Sequence, residues 1–199
     1  MDELPTRDRL VFAAMKLFGE KGYLSTSVQD ILREAGANAG SLYHAFPTKQ
    51  DVLVAVLDLY RQGIEPMLLA PAWSGIDDPV DRVFALLALY RRLIVETECQ
   101  YGCPIGSIAL ELHDADPIVR ERLAENFTGW VDAVEASLRS AAGRFRPGTD
   151  FRALAEMALN VMEGGVMQAR TFRDVAPFDR AVAQYRAYLD ALTEKEAAH

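Results

Sequence analysis

Cysteine is nearly absent, with only Cys99 and Cys103 in a chain of 199 residues. Two thiols do not make the disulfide framework of a small secreted domain. Histidine is almost as scarce, at positions 44, 113 and 199. There is no Ser-His-Asp order, no Glu-x-x-His pair and no phosphate-cradling glycine loop. That leaves little acid–base equipment and argues against a small-molecule enzyme built on a helical bundle. No apolar run approaches the ~18 residues that a membrane span needs. The opening MDELPTRDRL is acidic and polar and lacks a secretory signal, so a cytoplasmic location is expected. The apolar/polar alternation of strands, internal repeats and low-complexity tracts are also missing.

Positive charge is short as well: 21 Lys+Arg face 29 Asp+Glu, a net charge of −8. The deficit is local. Residues 1–50 hold six basic and six acidic side chains, and the remainder holds 15 and 23. A polyanionic partner is therefore repelled by everything after the first quarter of the chain, and only that quarter can face it.

What is present is a helical chain that is 50% hydrophobic. Its most informative stretch is Thr26 to Lys49, TSVQDILREAGANAGSLYHAFPTK. Thr26 is expected to cap a helix, with Gln29 closing a capping box. Val28, Ile31, Leu32 and Ala35 follow at helical spacing, and Gly36 ends the helix where positive φ is wanted. A helix of only about seven residues, Asn38 to His44, precedes the stop at Phe46-Pro47; a helix so short is unstable unless neighbours hold it, here through Leu42 and Phe46. Thr48 caps a third helix with Asp51 in the capping-box position. Lys49 in its first turn opposes the helix dipole, a placement that a partner anion would explain. Two short helices joined by a Gly-containing turn are the shape of a helix-turn-helix, a reader of double-stranded DNA.

These residues resemble the DNA-binding head of TetR-family regulators. The resemblance rests on Ala35-Gly36, the small turn Ala37-Asn38-Ala39, the run Gly40-Ser41-Leu42-Tyr43-His44-Ala45-Phe46, and Lys49. Upstream it includes Leu10 to Tyr23, with its Phe18…Gly22-Tyr23 ending. The resemblance implies that Gly40 admits the sugar-phosphate backbone and that Tyr43 and Lys49 hold phosphates. His44 then bonds a phosphate or a base edge. Ser41 and Asn38 stand at the start of the helix that enters the major groove, where Asn38 can pair with adenine or cap the helix. Thr26 and Ser27 are further phosphate contacts, with capping as the other role for Thr26. Two positions depart from the family pattern: Ala39 stands where many members carry Lys, and Ala45 where many carry Tyr or His. Either methyl can meet a thymine methyl instead.

The expected architecture is all-α, with about nine helices. A three-helix head spans 1–47 and a ligand-binding and dimerisation body spans 48–199, joined by a connector helix over about 48–69. Ala70 to Asp78 reads as a loop. Helices follow over 80–98, with Val83, Leu86, Leu87, Tyr90, Leu93 and Ile94 on its stripe, and over 104–113. The next starts near Asp116-Pro117 and carries Val119, Leu123, Phe127, Trp130, Val131, Val134 and Leu138. The last two run over 150–173 and from Pro177, the final one with Phe178, Val182, Tyr185, Leu189 and Leu192 in register. The tail TEKEAAH is expected to fray. Gly164-Gly165 sits mid-helix at a cost of about 1 kcal/mol per glycine, so close helix approach or a kink must compensate.

In the resembled family the last two helices of two protomers form a bundle, which implies a homodimer. It also implies a palindromic operator and a small inducer, apolar or amphipathic, in the body. Tyr101-Gly102-Cys103-Pro104-Ile105-Gly106 with Ala109-Leu110-Glu111 is similar to the opening of an LmrA-like drug-efflux subgroup. Candidate ligand residues are Phe84, Tyr90, Leu110, Phe127, Trp130, Met157, Met162, Met167 and Gln168, with Glu111, Asn160 and Glu163 as polar groups beside the apolar stripes. No cofactor or metal is expected: His113 lies ten residues from Cys103, and no second ligand pair follows. A thiol redox switch at Cys99 and Cys103 is the alternative way to sense a signal, and it needs an accessible, acidified thiol.

Overall fold

A computed structural model describes residues 4–193. Beyond Thr193 the expected fraying of the tail lies outside the described residues. Helices α1 (Thr6–Lys21), α2 (Val28–Ala35), α3 (Ala39–Ala45) and α4 (Lys49–Gly63) come first. They are followed by α5 (Pro79–Glu96), α6 (Pro104–Glu111), α7 (Pro117–Ser140), α8 (Phe151–Phe172) and α9 (Ala176–Leu192). The only extended pairing among the described residues is an isolated bridge between Phe145 and Thr193. The chain packs as two units. One runs to Gln62 and includes Cys103–Asn126; the other takes Gly63–Gly102 and the chain from Phe127 onward.

In the first unit α1 buries Leu10, Val11, Ala13, Ala14, Leu17 and Phe18. Ile31 and Ala35 of α2 and Leu42 and Phe46 of α3 and its C-cap complete that core. Val28 and Leu32, expected to be core, are only half-buried. Val52, Leu53, Val56 and Leu57 of α4 are fully buried. The start of α7 is fixed by a buried amide: Asn126 Nδ2 donates to the Leu57 carbonyl at 3.0 Å and to the Arg122 carbonyl at 2.8 Å.

The connector is not one α-helix to residue 69. Its α-geometry ends at Gly63, a π-helical turn spans Ile64–Leu69, and one α-turn, Ala70–Trp73, stands where a loop was expected. Pro66 is the cause. It has no N–H to donate and its ring collides with the carbonyl four residues back, so the helix widens there instead of stopping.

In the second unit α5 starts at Pro79 behind an Asp78 cap, whose Oδ1 accepts the Val80 and Asp81 amides at 2.8 and 2.9 Å. Its core stripe is Val83, Leu86, Leu87 and Ile94; Leu93, placed on that stripe by spacing, is instead exposed. Trp130, Val131, Val134 and Leu138 of α7 meet Leu154, Ala158, Met162, Val166 and Ala169 of α8 and Phe178, Tyr185 and Leu189 of α9. The glycine pair in α8 divides its labour. A Cβ on Gly165 would stand 2.7 Å from Phe178 Cδ2 and 3.2 Å from Phe178 Cα, so its absence lets α9 lie against α8; a Cβ on Gly164 would meet nothing within 4 Å. Close approach, not a kink, is the compensation.

Candidate nucleic-acid interface

Helix α2 begins one residue later than Thr26 suggests. Ser27 is the N-cap: its hydroxyl oxygen accepts the Asp30 amide at 3.1 Å, and Asp30 Oδ2 accepts the Ser27 amide at 3.1 Å and hydroxyl at 2.7 Å. These bonds to Ser27 hold the Asp30 carboxyl below its ordinary value. Thr26 is 1% exposed, and its hydroxyl donates to the carbonyls of Gly22 at 2.7 Å and Leu17 at 3.3 Å. The expectation that Thr26 caps α2 or touches phosphate is therefore corrected: its oxygen is spent inside the head. Gly36 takes φ 58, and the Ala37 amide returns to the Leu32 carbonyl at 3.0 Å, which closes the turn.

Asn38 caps α3, its Oδ1 accepting the Ser41 amide at 2.9 Å and the Ser41 hydroxyl at 3.1 Å. Helix α3 is thus pinned by its cap at one end and by buried Leu42 and Phe46 on its inner side. The opposite side carries Ala39, Gly40, Tyr43 and His44, all exposed, with Tyr43 56% so. Asn38 and Ser27 are exposed beside them and Ser41 is half-buried. The face is small, polar and uncharged. Among the described residues neither Tyr43 nor His44 has a hydrogen-bond partner, so both are available to something outside the chain.

Lys49 is placed differently from the expectation. Thr48 does cap α4, its hydroxyl oxygen accepting the Asp51 amide at 3.2 Å. The Lys49 ammonium, however, donates to the Tyr23 carbonyl at 2.6 Å and lies 4.1 Å from the centre of the Tyr23 ring. Partial burial pulls its pKa down, and the nearby Glu111 carboxylate acts against that. The counter-charge inferred for Lys49 is thus supplied within the first unit, by Glu111.

Comparison with known proteins fits this geometry. The model of bacterial regulatory proteins of the tetR family matches residues 10–56, and that of the tetracyclin repressor-like C-terminal domain matches residues 79–185. The chain belongs to the TetR family. It is 28% identical over 182 residues to the HTH-type transcriptional regulator LmrA of Bacillus subtilis, covering 86% of this chain and 90% of that one. It is 27% identical to the HTH-type transcriptional repressor DhaR of a Mycobacterium species, covering 90% of both. A TetR transcriptional regulator from Chloroflexus aurantiacus superposes with a TM-score of 0.80 at 28% identity, covering 94% of this chain and 96% of that one. The regulatory protein TetR from Rhodobacter sphaeroides shares the fold, with a TM-score of 0.81 over 90% and 96% of the two chains at 24% identity.

This TetR-family chain is therefore a helix-turn-helix transcriptional regulator, of a kind that is generally a ligand-responsive repressor. The residues expected to hold its ligand lie in different settings. Met162 is core, and Phe84 packs on Tyr185 with ring centroids 5.7 Å apart. Tyr90, Phe127 and Glu163 are half-buried, while Met157, Asn160, Met167 and Gln168 are exposed on α8. Leu110 is 66% exposed. Glu111 faces no ligand: its carboxylate accepts the amides of Tyr23 at 2.8 Å and Leu24 at 2.7 Å. Trp130 is 4% exposed, and its indole N–H has no acceptor among the described residues.

Within the second unit a cleft of about 350 Å³ opens between α5 and α9, floored by Phe84, Leu87, Phe178 and Val182 and rimmed by Arg91 and Arg186. Arg91 grips Asp179 through two bonds of 2.7 and 3.0 Å, and Arg186 donates to Asp81 while stacking 3.9 Å over the Phe84 ring. Cys99 is 7% exposed, at φ 57, with its carbonyl accepting from Arg173 at 2.8 Å. Its thiol lacks the access that a redox switch requires, whereas Cys103 is half-buried. Spacing alone had missed the role of Ser27, although Asp30 three residues on was a signal for it, and the role of Glu111, for which no local signal exists.

Proposed function

We propose that the protein is a homodimeric repressor whose two heads, residues 1–47 of each chain, read a palindromic operator, while residues 48–199 dimerise and bind a small inducer. The observation that carries the DNA reading is the face of α3. Leu42 and Phe46 hold the helix from within, and Ala39, Gly40, Tyr43 and His44 are left outward with unspent polar atoms. Ser27, Asn38 and Ser41 extend that face at helix N-termini, where backbone amides favour phosphate. Lys49 joins it by exchanging the Tyr23 carbonyl for a phosphate oxygen. Thr26 has no part in it.

The dimer reading is supported by an uncharged face on the last two helices. Along α8 it runs through Ala153, Met157, Asn160, Gly164, Gln168 and Thr171, and along α9 through Gln184, Ala187, Tyr188 and Ala191. Two heads on one palindrome must sit about one helical turn, or a multiple of it, apart. An inducer that prefers the wrong separation shifts the population and releases DNA. The cleft between α5 and α9 suits an amphipathic inducer, with its apolar floor and the fixed polar groups of Arg91, Asp179 and Arg186.

The test is selection of duplexes from a random pool by the wild-type protein, followed by fluorescence anisotropy. Tyr43→Ala with His44→Ala should weaken binding to the enriched duplex by at least about tenfold, the loss of about one or two hydrogen bonds per head. Both side chains are exposed and unpartnered, so the fold should be untouched. Equal affinity for wild type and double variant ends the site assignment; failure to enrich any duplex ends the DNA reading itself.

A further inference from the structure

Helix α6 ends in a side chain that does something no ligand role explains. Glu111 spends both carboxylate oxygens on consecutive amides, Tyr23 and Leu24, in the turn between α1 and α2. Neither amide has another acceptor among the described residues. The other side of the same turn is held too: the Tyr23 carbonyl accepts the Lys49 ammonium at 2.6 Å. Gly22, at φ 88, makes room, since a Cβ there would stand 3.0 and 3.1 Å from the two Glu111 oxygens. The Tyr23 ring packs edge-on against Phe18 at 5.3 Å, which ties the turn to the α1 core. One short turn is thus fixed from α6, from α1 and, until Lys49 turns to a phosphate, from α4, and it leads within a few residues to the Ser27 cap of α2.

We propose that Glu111 is a positioning residue for DNA reading: its carboxylate sets the α1–α2 turn and thereby the angle at which α2 and α3 meet the operator. The inference rests on the DNA reading above and adds a second control point to it. A carboxylate bonded to two amides is a charge-assisted clamp of defined direction, so a small shift of α6 is transmitted to the turn instead of being absorbed. Helix α6 follows directly on Gly102 in the chain, so whatever moves that segment acts on the head through Glu111 without any swing of α4.

The experiment compares wild type, Glu111→Ala and Glu111→Gln, with amide exchange by NMR and anisotropy on the duplex enriched by the wild-type protein. In Glu111→Ala, exchange at Tyr23 and Leu24 should quicken by at least about tenfold, the loss of one charge-assisted bond at each amide. Exchange at Leu10 and Leu42 should stay as it was. Operator affinity should fall by about tenfold or more, while the slope of log affinity against log salt stays unchanged because no phosphate contact is lost. Glu111→Gln keeps one acceptor oxygen and should fall between the two, a partial rescue that also serves if the alanine variant misfolds. Fast exchange at both amides with unaltered operator affinity overturns the proposal, and so does a reduced salt slope, which would mean that Glu111 acts by holding a cation such as Lys49 on a phosphate and not by setting the turn. Unchanged exchange at Tyr23 and Leu24 overturns the clamp without any DNA. If the wild-type protein enriches no duplex, the DNA reading falls first.

Discussion

Replacing each of the two adjacent glycines of α8 with alanine should have opposite effects, and the sign can be worked out in advance. Any mid-helix Gly→Ala change gains about 1 kcal/mol of helix propensity. At Gly164 nothing opposes that gain, because the new methyl meets nothing within 4 Å. At Gly165 the methyl would stand 2.7 Å from Phe178 Cδ2 and 3.2 Å from Phe178 Cα. The ring can rotate away from the first contact, but the backbone atom cannot, so α8 and α9 must separate by several tenths of an ångström along a seam that includes fully buried Tyr185 and Leu189. Overpacking of that kind costs about 1–3 kcal/mol, which leaves Gly165→Ala less stable than wild type by up to about 2 kcal/mol once the ~1 kcal/mol propensity gain is subtracted. Urea unfolding followed by circular dichroism reads both numbers. It should be run at several protein concentrations, because the midpoint of a dimer moves with concentration. A Gly165→Ala protein more stable than wild type, as Gly164→Ala should be, would refute the close-approach account of the pair. If Gly164→Ala destabilises in a concentration-dependent way, the Gly164 face is covered by a second copy.

Two further outcomes follow from single side chains. Thr26→Val keeps the shape of a buried residue but removes the hydroxyl that donates to the Gly22 and Leu17 carbonyls. It should cost about 1 kcal/mol, which lowers the melting temperature by about 2–4 °C in a chain of this size, and it should leave the salt dependence of operator binding unchanged. Asp78 is held below its ordinary value of 3.8, first by its bond from the Asp81 amide and then by Arg144 and the Val80 amide. A carboxylate with a depressed folded pKa contributes stability above its unfolded value and loses it as pH falls through the folded one. Asp78→Asn retains a cap acceptor but not the charge, so its acid unfolding curve should be shallower below about pH 4, where unperturbed Asp titrates.

Much of this was legible before any coordinates, and the reason is periodicity. The stripes on α5, α7 and α9 report a helix lying on a core, and Val83, Leu86, Tyr185 and Leu189 are buried as their spacing requires. Asp150 and Thr48 act as caps because a short oxygen beside free amides has few alternatives. What spacing could not decide was register by one residue. Thr26…Gln29 and Ser27…Asp30 both satisfy the capping-box pattern, and only the burial of Thr26 under Leu17 separates them. The connector could not be bounded from spacing because the conflict of Pro66 with the carbonyl four residues back can be met by stopping the helix or by widening it, and here it is widened. Glu111 was unreadable for a different reason: it meets Tyr23 across 88 positions of sequence, and nothing local to α6 marks an acceptor for amides that belong to another helix pair.

The cations of the head bear on how such a regulator lets go of DNA. Lys16 is paired with Glu34 at 2.6 Å, Arg33 with Asp30, and Lys49 with the Tyr23 carbonyl. Arg7 lies 5.0 Å from the Phe46 ring centre. Phosphate must compete with each of these partners, and the outward face of α3 carries no charge to compensate. Four of the six cations in residues 1–50 are thus engaged, which reduces the counterion-release term a single head supplies to non-specific affinity. Tight binding has to come from two heads engaging at once, where the second binds at the effective concentration set by the first. That advantage vanishes when the spacing is wrong, even though no head contact has been altered. On the mechanism proposed above, a weakly charged reader is easier to release than a basic one: an inducer would need only to make the two-headed geometry unfavourable, against little electrostatic hold on either half-site.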